Sequence, residues 1–272
     1  MKYFLLFFKI SLLFVFSTAQ GQDTLSIVSW NLKNLGKSKD ASEISYIAQT
    51  VRNFDIIAIQ EVVAGPEGPK AVARLADELN RKGAKWDYRI SNPTSGGGNK
   101  SERYAFIWKT ARLKLIGHPW LESKYHREIV REPYFIRMES AEGIFTLVNF
   151  HAITKADKPE TEIKYFRFLP ERYRSHRLIF AGDFNIPESH SVFNPLKKIG
   201  FVSAMQGQKT SLRQACIKGD CLASEFDNFF LQPARFTVHT KGIIPFYQAF
   251  EDLKDARLIS DHVPIFIRVS LN

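Results

Sequence analysis

The sequence predicts an α/β or α+β sandwich, with two packed β-sheets covered by helices. Three observations carry this. Helix-spaced apolar residues are interspersed with two groups of strand-like runs. Beyond an apolar N-terminal segment, roughly 250 residues run without a Ser/Gly/Pro linker, a shift in composition or an internal repeat, the size of one large domain with a full core. The strand-like runs also end repeatedly in Asn, Asp, Glu or His, as expected where strand ends converge on one cleft.

Residues 1–19 are expected to be a signal peptide, leaving 20–272 as the domain. Lys2 precedes a run from Tyr3 to Phe16 that is apolar apart from Lys9 and Ser11, and Ser17 and Ala19 supply small residues for cleavage. The run is shorter than the about twenty apolar residues of a spanning helix. The expectation is a secreted or periplasmic protein with no integral membrane segment once the leader is removed. Losing Lys2 and Lys9 lowers the formal charge of +10 to +8. A basic surface of this kind favours a polyanionic partner, nucleic acid or anionic lipid.

In chain order, Leu25 to Trp30 reads as a strand ending at Asn31. Ile44, Ile47, Ala48 and Val51 fall at helical spacing, with Ser42 as the expected cap. Asp55 to Gln60 is a continuous apolar strand ending at Glu61, and Val72, Leu75, Ala76 and Leu79 mark a second helix. Tyr104 to Lys109, Leu113 to Gly117, Tyr134 to Met138 and Phe145 to Asn149 are strand-like. The spacing predicts a helix over 158–173, and Pro264 to Val269 closes the chain as a strand.

The stretch from Arg177 to Pro187, RLIFAGDFNIP, combines a buried-strand run with a polar end. Alternation along an extended chain places Asp183 and Asn185 on one side and Phe184 on the other. A carboxylate and an amide projecting together from a rigid strand end suit a divalent cation or a phosphate oxygen. The ordinary use of the same residues is a turn. The other strand-end polar residues also have ordinary uses, Asn31 as a turn former and His151 and His262 as hydrogen-bonded core histidines. It is their number that argues for a shared site. Cys216 and Cys221, the only cysteines, are expected to close a small disulfide loop around Gly219.

The segments W-N (Trp30, Asn31), Q-E-V (Gln60 to Val62), E-R-Y-A-F (Glu102 to Phe106), R-E-P (Arg131 to Pro133), N-F-H (Asn149 to His151), G-D-F-N (Gly182 to Asn185), F-D (Phe226, Asp227) and S-D-H-x-P (Ser260 to Pro264) appear in this order. Together they resemble the endonuclease/exonuclease/phosphatase superfamily, nearest its deoxyribonuclease I branch, across nearly the whole chain after the leader. The resemblance implies a four-layer sandwich, two mixed sheets face to face with helices on the outer faces. It also implies metal-dependent phosphodiester hydrolysis, with Mg²⁺ as cofactor and Mn²⁺ or Ca²⁺ able to substitute or assist. Carried over by motif, Asn31 and Glu61 belong to the metal site, with Asp261 as a neighbouring ligand or as a group behind the ligands. His151 and His262 flank the phosphate, Glu102 and Asp227 orient them, Asp183 and Asn185 hold phosphate and water, and Arg131 binds the substrate backbone. Such a set suits the chemistry, because an anionic diester repels hydroxide until cations and donors neutralise its oxygens.

The chain departs from that branch at Val63, which stands where the relatives have Arg. Lys100 replaces a groove-stacking Tyr and is expected to bind substrate by phosphate attraction. Asn228 stands in place of an Arg after Asp227. The implied protein is a monomeric DNA endonuclease with no stable protein partner. The alternatives are a phospholipid or sugar-phosphate phosphoesterase using the same site, and a catalytically silent binding protein on the same scaffold.

Overall fold

A computed structural model of the protein describes residues 24–96 and 101–272. The expected leader and Lys100 lie outside the described residues. The first half of the chain contributes β1 (Leu25–Leu35), α1 (Ala41–Val51), β2 (Ile56–Val63), α2 (Glu67–Arg81), β3 (Trp86–Ile90), β4 (Glu102–Lys109), β5 (Lys114–Leu115) and β6 (Trp120–Leu121). Next come β7 (Tyr134–Ser140), β8 (Gly143–His151), α3 (Glu160–Ile163), α4 (Leu169–Arg172), β9 (Leu178–Asp183) and α5 (Asn194–Lys198). The rest is β10 (Val202–Ser203), β11 (Leu212–Ile217), β12 (Asp220–Leu222), β13 (Asp227–Leu231), β14 (Phe236–Ile243), α6 (Leu253–Ile259) and β15 (Ile265–Leu271).

One sheet runs β14-β15-β1-β2-β4-β3 and the other β10-β13-β9-β8-β7-β5, with β6 also paired to β7. Both are mixed, since β1–β2 and β8–β9 are parallel pairs among antiparallel neighbours. Side-chain alternation sorts the apolar residues into three layers of contact. Ile27, Ile56, Ala58, Tyr104 and Phe106 of the first sheet meet Ile136, Phe145, Leu147, Ile179 and Phe229 of the second. The opposite face of the first sheet, with Val28, Trp30, Ile57 and Ile59, is covered by Ile44, Ile47 and Val51 of α1 and Val72, Leu75 and Leu79 of α2. The outer face of the second sheet, with Phe135, Val148, Phe150 and Phe180, is covered by Ile163, Phe166, Leu169 and Leu196. This is the expected four-layer sandwich.

Local departures have local causes. The cap of α1 is Asp40 rather than Ser42: its carboxylate accepts from Glu43 N at 2.8 Å, and Glu43 returns a bond to Asp40 N. A capping box of this kind satisfies two of the backbone N–H groups left open at the helix start. The helix expected over 158–173 is broken into α3 and α4, with 3-10 turns at Lys155–Asp157 and Phe166–Phe168. Pro170 lacks the N–H that a continuous helix would donate to the Phe166 carbonyl. Cys216 and Cys221 are bonded to each other across the β11–β12 hairpin, as expected.

The sheets are tied near one end by buried polar groups. Gln60 Nε2 donates to Ser29 Oγ at 3.0 Å and to Asn149 Oδ1 at 2.5 Å, and Asn149 Nδ2 donates to the Ile59 carbonyl at 2.9 Å. This crosslink fixes the register between β2 and β8 at the end where the site lies.

Candidate active site

The ends of β1, β2, β4, β8 and β9 and the start of β13 meet at one edge of the sandwich. Asn31 follows Ile27 and Ser29 on the inward side of β1. Glu61 should point the other way from Gln60, but β2 is bulged between Ile59 and Val62 and Glu61 adopts φ 59°. A bulge with a left-handed residue re-aims the side chain. Glu61 Oε1 thereby lies 3.0 Å from Asn31 Nδ2.

Glu102, at the start of β4, joins three groups. Its carboxylate contacts His151 Nδ1 at 2.9 Å and Arg131 Nε at 3.4 Å, and accepts from the Glu61 backbone N–H at 3.2 Å. Arg131 also donates to the Ala152 carbonyl at 3.0 Å, and its side chain is only 11% exposed. Opposite, Asp227 Oδ2 meets His262 Nδ1 at 2.7 Å and accepts from Thr210 Oγ1 at 2.6 Å.

Asp183 lies between these halves. Its Oδ2 is 3.5 Å from His151 Nε2, 3.6 Å from His262 Nε2 and 3.2 Å from Asn31 Nδ2. Its Oδ1 accepts from Asn185 N at 2.8 Å, and Asn185, at φ 56°, donates its amide to the Ala152 carbonyl at 3.0 Å. Alternation therefore describes Asp183 and Phe184, whereas Asn185 is turned by a left-handed backbone. The preceding Gly182 is required: at φ 138°, a Cβ there would lie 1.9 Å from the Phe150 carbonyl oxygen.

Burial opposes protonation of both imidazoles, but neighbouring carboxylates outweigh it. Asp227 and Asp183 raise the His262 pKa to about 10, and Glu102 raises that of His151. Burial and the charge of Asp183 also push Asp227 upward, against the pull of His262. The raised His262 keeps the shared proton on the imidazole.

Asn31 carries the clearest sign of a cation site. Its amide nitrogen sits between oxygens of Glu61 and Asp183, while its buried Oδ1 has no hydrogen-bond partner. Half a turn of the amide exchanges nitrogen for oxygen. Three oxygen donors would then face one point, a donor set that fits a hard divalent cation such as Mg²⁺. Asp261, the third expected ligand, has its Oδ2 paired with Arg257 at 3.3 Å and Lys33 at 3.6 Å. Ligand atoms of Asp183, Asp227 and His262 also lie within 4.8 Å of one another, although Asp227 is already committed to His262 and Thr210.

Four supporting residues had no role assigned from the sequence. Ser260 Oγ donates to the Asn31 carbonyl at 2.5 Å and accepts from His262 N at 3.0 Å, tying the two halves together. Tyr104 OH accepts from His151 N and donates to the Arg131 carbonyl. Both stand inside recognised motifs, so the motifs held the signal. Buried Glu162 accepts from Val130 N at 2.6 Å and Ile153 N at 2.9 Å, holding the loops that carry Arg131 and Ala152. Burial raises its pKa against those two bonds. Glu162 and Thr210 lie in segments with no distinctive pattern. Asn228 is buried, its side-chain oxygen accepting from Ser203 Oγ and Met205 N.

A cavity of about 620 Å³ adjoins His262, walled by Leu212, Arg213, Phe226 and Arg257. A larger one of about 690 Å³, beside β10 and β14, includes none of the site residues.

Residues 28–262 match the Endonuclease/Exonuclease/phosphatase family. The chain is 27% identical to Deoxyribonuclease-1-like 1 of Sus scrofa over 277 residues, covering 95% of this chain and 85% of the relative. It is 25% identical to Deoxyribonuclease-1 of Homo sapiens over 273 residues, covering 94% and 95%. An endonuclease/exonuclease/phosphatase family protein from Bacteroides thetaiotaomicron has the same fold, with a TM-score of 0.66 at 18% identity over 91% of this chain and 98% of that one. On the match from 28 to 262, the chain belongs to the endonuclease/exonuclease/phosphatase family.

Proposed function

We propose that the protein is an exported, Mg²⁺-dependent endonuclease that hydrolyses phosphodiester bonds in DNA. The observation that carries this reading is that His151 Nε2 and His262 Nε2 face Asp183 Oδ2 from two sides, at 3.5 Å and 3.6 Å. Paired imidazole donors beside a carboxylate suit an anionic phosphate, whose non-bridging oxygens need donors as charge builds in the transition state. In this reading the imidazoles carry the protons. Asp183 takes the proton of the attacking water, and a protonated imidazole, held in one orientation by its carboxylate, Glu102 or Asp227, donates to the departing sugar oxygen while the other neutralises the phosphate. Asp183 orients the water, and Asn185 fixes Asp183 through its backbone N–H. Asn31 and Glu61, with Asp261 nearby, would hold the cation, which supplies charge neutralisation at the phosphate. Arg131 acts first by fixing Glu102, and Lys100 adds phosphate attraction.

The similarity to deoxyribonucleases favours DNA as substrate, and the basic charge favours a polyanion. The leader-like N-terminus and the disulfide favour export. The test offers purified protein supercoiled plasmid, RNA and sphingomyelin, each with Mg²⁺ and with EDTA. Nicking of the plasmid in Mg²⁺ alone is expected. Turnover of sphingomyelin with intact plasmid would replace DNA by a lipid headgroup as the substrate.

A further inference from the structure

The outer face of the second sheet is covered by helices only toward the active-site end. At the other end lies a concave site of about 440 Å³ lined by Arg137, Arg177, Arg235, Ser175, His176 and Thr146, together with Glu139, Gly143 and Ile144. Arg137 stands directly opposite Thr146 in the β7–β8 register. Thr146 N donates to the Arg177 carbonyl at 2.8 Å, and Thr146 Oγ1 contacts His176 Nδ1 at 2.9 Å. These bonds fix the backbone from which the basic side chains extend. Gly143 lets one of them close over the β7–β8 turn, since Arg177 Nη1 lies 3.2 Å from where a Cβ would be.

Among the described residues, none of the three guanidinium groups has a carboxylate partner. The one acid in the site, Glu139, is exposed and is paired with Lys114 at 3.7 Å. Three half-buried arginines facing one hollow repel one another unless an anion enters. Guanidinium forks and hydroxyl donors match the tetrahedral oxygens of a phosphate. Thr146 and His151 are five residues apart on β8, which sets the hollow roughly 16 Å from the catalytic imidazoles.

We propose that Arg137, Arg177 and Arg235 form a second anion site that binds a phosphate group, separate from the active site. The phosphate can come from free orthophosphate or from the backbone of DNA. The site does not rest on the catalytic reading and is tested without turnover.

The experiment measures thermal unfolding in EDTA with about 10 mM orthophosphate against NaCl of equal ionic strength. The wild type should gain about 3 °C. His151→Ala should keep that gain, and an Arg137→Ala/Arg177→Ala double variant should lose it. If the double variant does not fold, Arg235→Gln, in the turn before β14, carries the test with a gain reduced by at least half. Duplex binding by anisotropy then separates the sources. A weaker affinity in the double variant assigns the DNA backbone, and an unchanged affinity with the orthophosphate gain lost assigns the free ion. An equal orthophosphate gain in wild type and arginine variants, or no gain in the wild type together with unchanged duplex affinity, overturns the proposal.

Discussion

His262 Nδ1 lies 2.7 Å from Asp227 Oδ2, while the other ring nitrogen faces Asp183 at 3.6 Å. One carboxylate therefore fixes the ring and the other lies against its second nitrogen. His151 repeats the arrangement with Glu102 behind it at 2.9 Å and Asp183 in front at 3.5 Å. Each pair takes one residue from each sheet, Glu102 from β4 against His151 from β8 and His262 ahead of β15 against Asp227 from β13, so the geometry depends on how the sheets are packed.

Asp227→Asn should lower kcat for plasmid nicking by about 10²-fold or more, with KM little changed. The amide can still fill the space but no longer stabilises an imidazolium. Steady-state kinetics in saturating Mg²⁺ checks this, and a rise in KM with kcat unchanged would place Asp227 in substrate binding.

The metal-free protein should lose stability as pH rises from about 6.5 to about 10. His262 is raised to about 10 because Asp227 and Asp183 outweigh its burial, so the folded state binds this proton more tightly than the unfolded chain. Its contribution is full below the unfolded pKa and disappears as pH passes the folded one. His151, raised by Glu102 against burial, acts with the same sign. Melting curves in EDTA should show the wild type's advantage over His262→Asn narrowing across that range. An advantage that widens with pH would contradict the protonated assignment.

Much of this was legible because short-range pattern and chemistry agreed. Continuous apolar runs marked the strands, and the polar residues that follow them, Asn31, Glu61, His151 and Asp183, are ones the fold brings together, although β1 runs on to Leu35 and β2 to Val63. What escaped depended on backbone geometry or distant partners. Alternation could not show that a bulge turns Glu61 toward Asn31, or that Asn185 takes a left-handed conformation. Thr210 reaches Asp227 only because residues 210–212 run against 261–263, with Leu212 N on the Asp261 carbonyl and Val263 N on the Thr210 carbonyl. Strand β14 was missed because its burial alternates weakly at an exposed edge, and α6 because it is only 7 residues long. Arg131 was expected on the substrate, and its position beside Glu102 gives it a second task that motif matching alone did not reveal.

Glu61→Gln should weaken Mg²⁺ binding by at least about tenfold. The Mg²⁺ dependence of the melting temperature measures this without turnover. Asp261→Asn should have a smaller effect, because Asp261 already neutralises Arg257 and Lys33. The reverse ranking would move the cation toward Asp261.

Reducing the Cys216–Cys221 bond should destabilise the protein by about 2 kcal/mol, given the short loop it closes. Because β11 walls the cavity beside His262, KM should rise while Mg²⁺ binding stays unchanged. Denaturant melts and kinetics with and without reductant check both parts.

On the proposed function, Asp183, between the two imidazoles, organises phosphodiester hydrolysis. The decisive comparison is the initial rate at which wild type and Asp183→Asn nick supercoiled plasmid in Mg²⁺, with folding verified by melting. The wild type should nick in Mg²⁺ and be silent in EDTA, and Asp183→Asn should be slower by about 10³-fold or more. A folded Asp183→Asn variant that nicks at the wild-type rate would contradict the account.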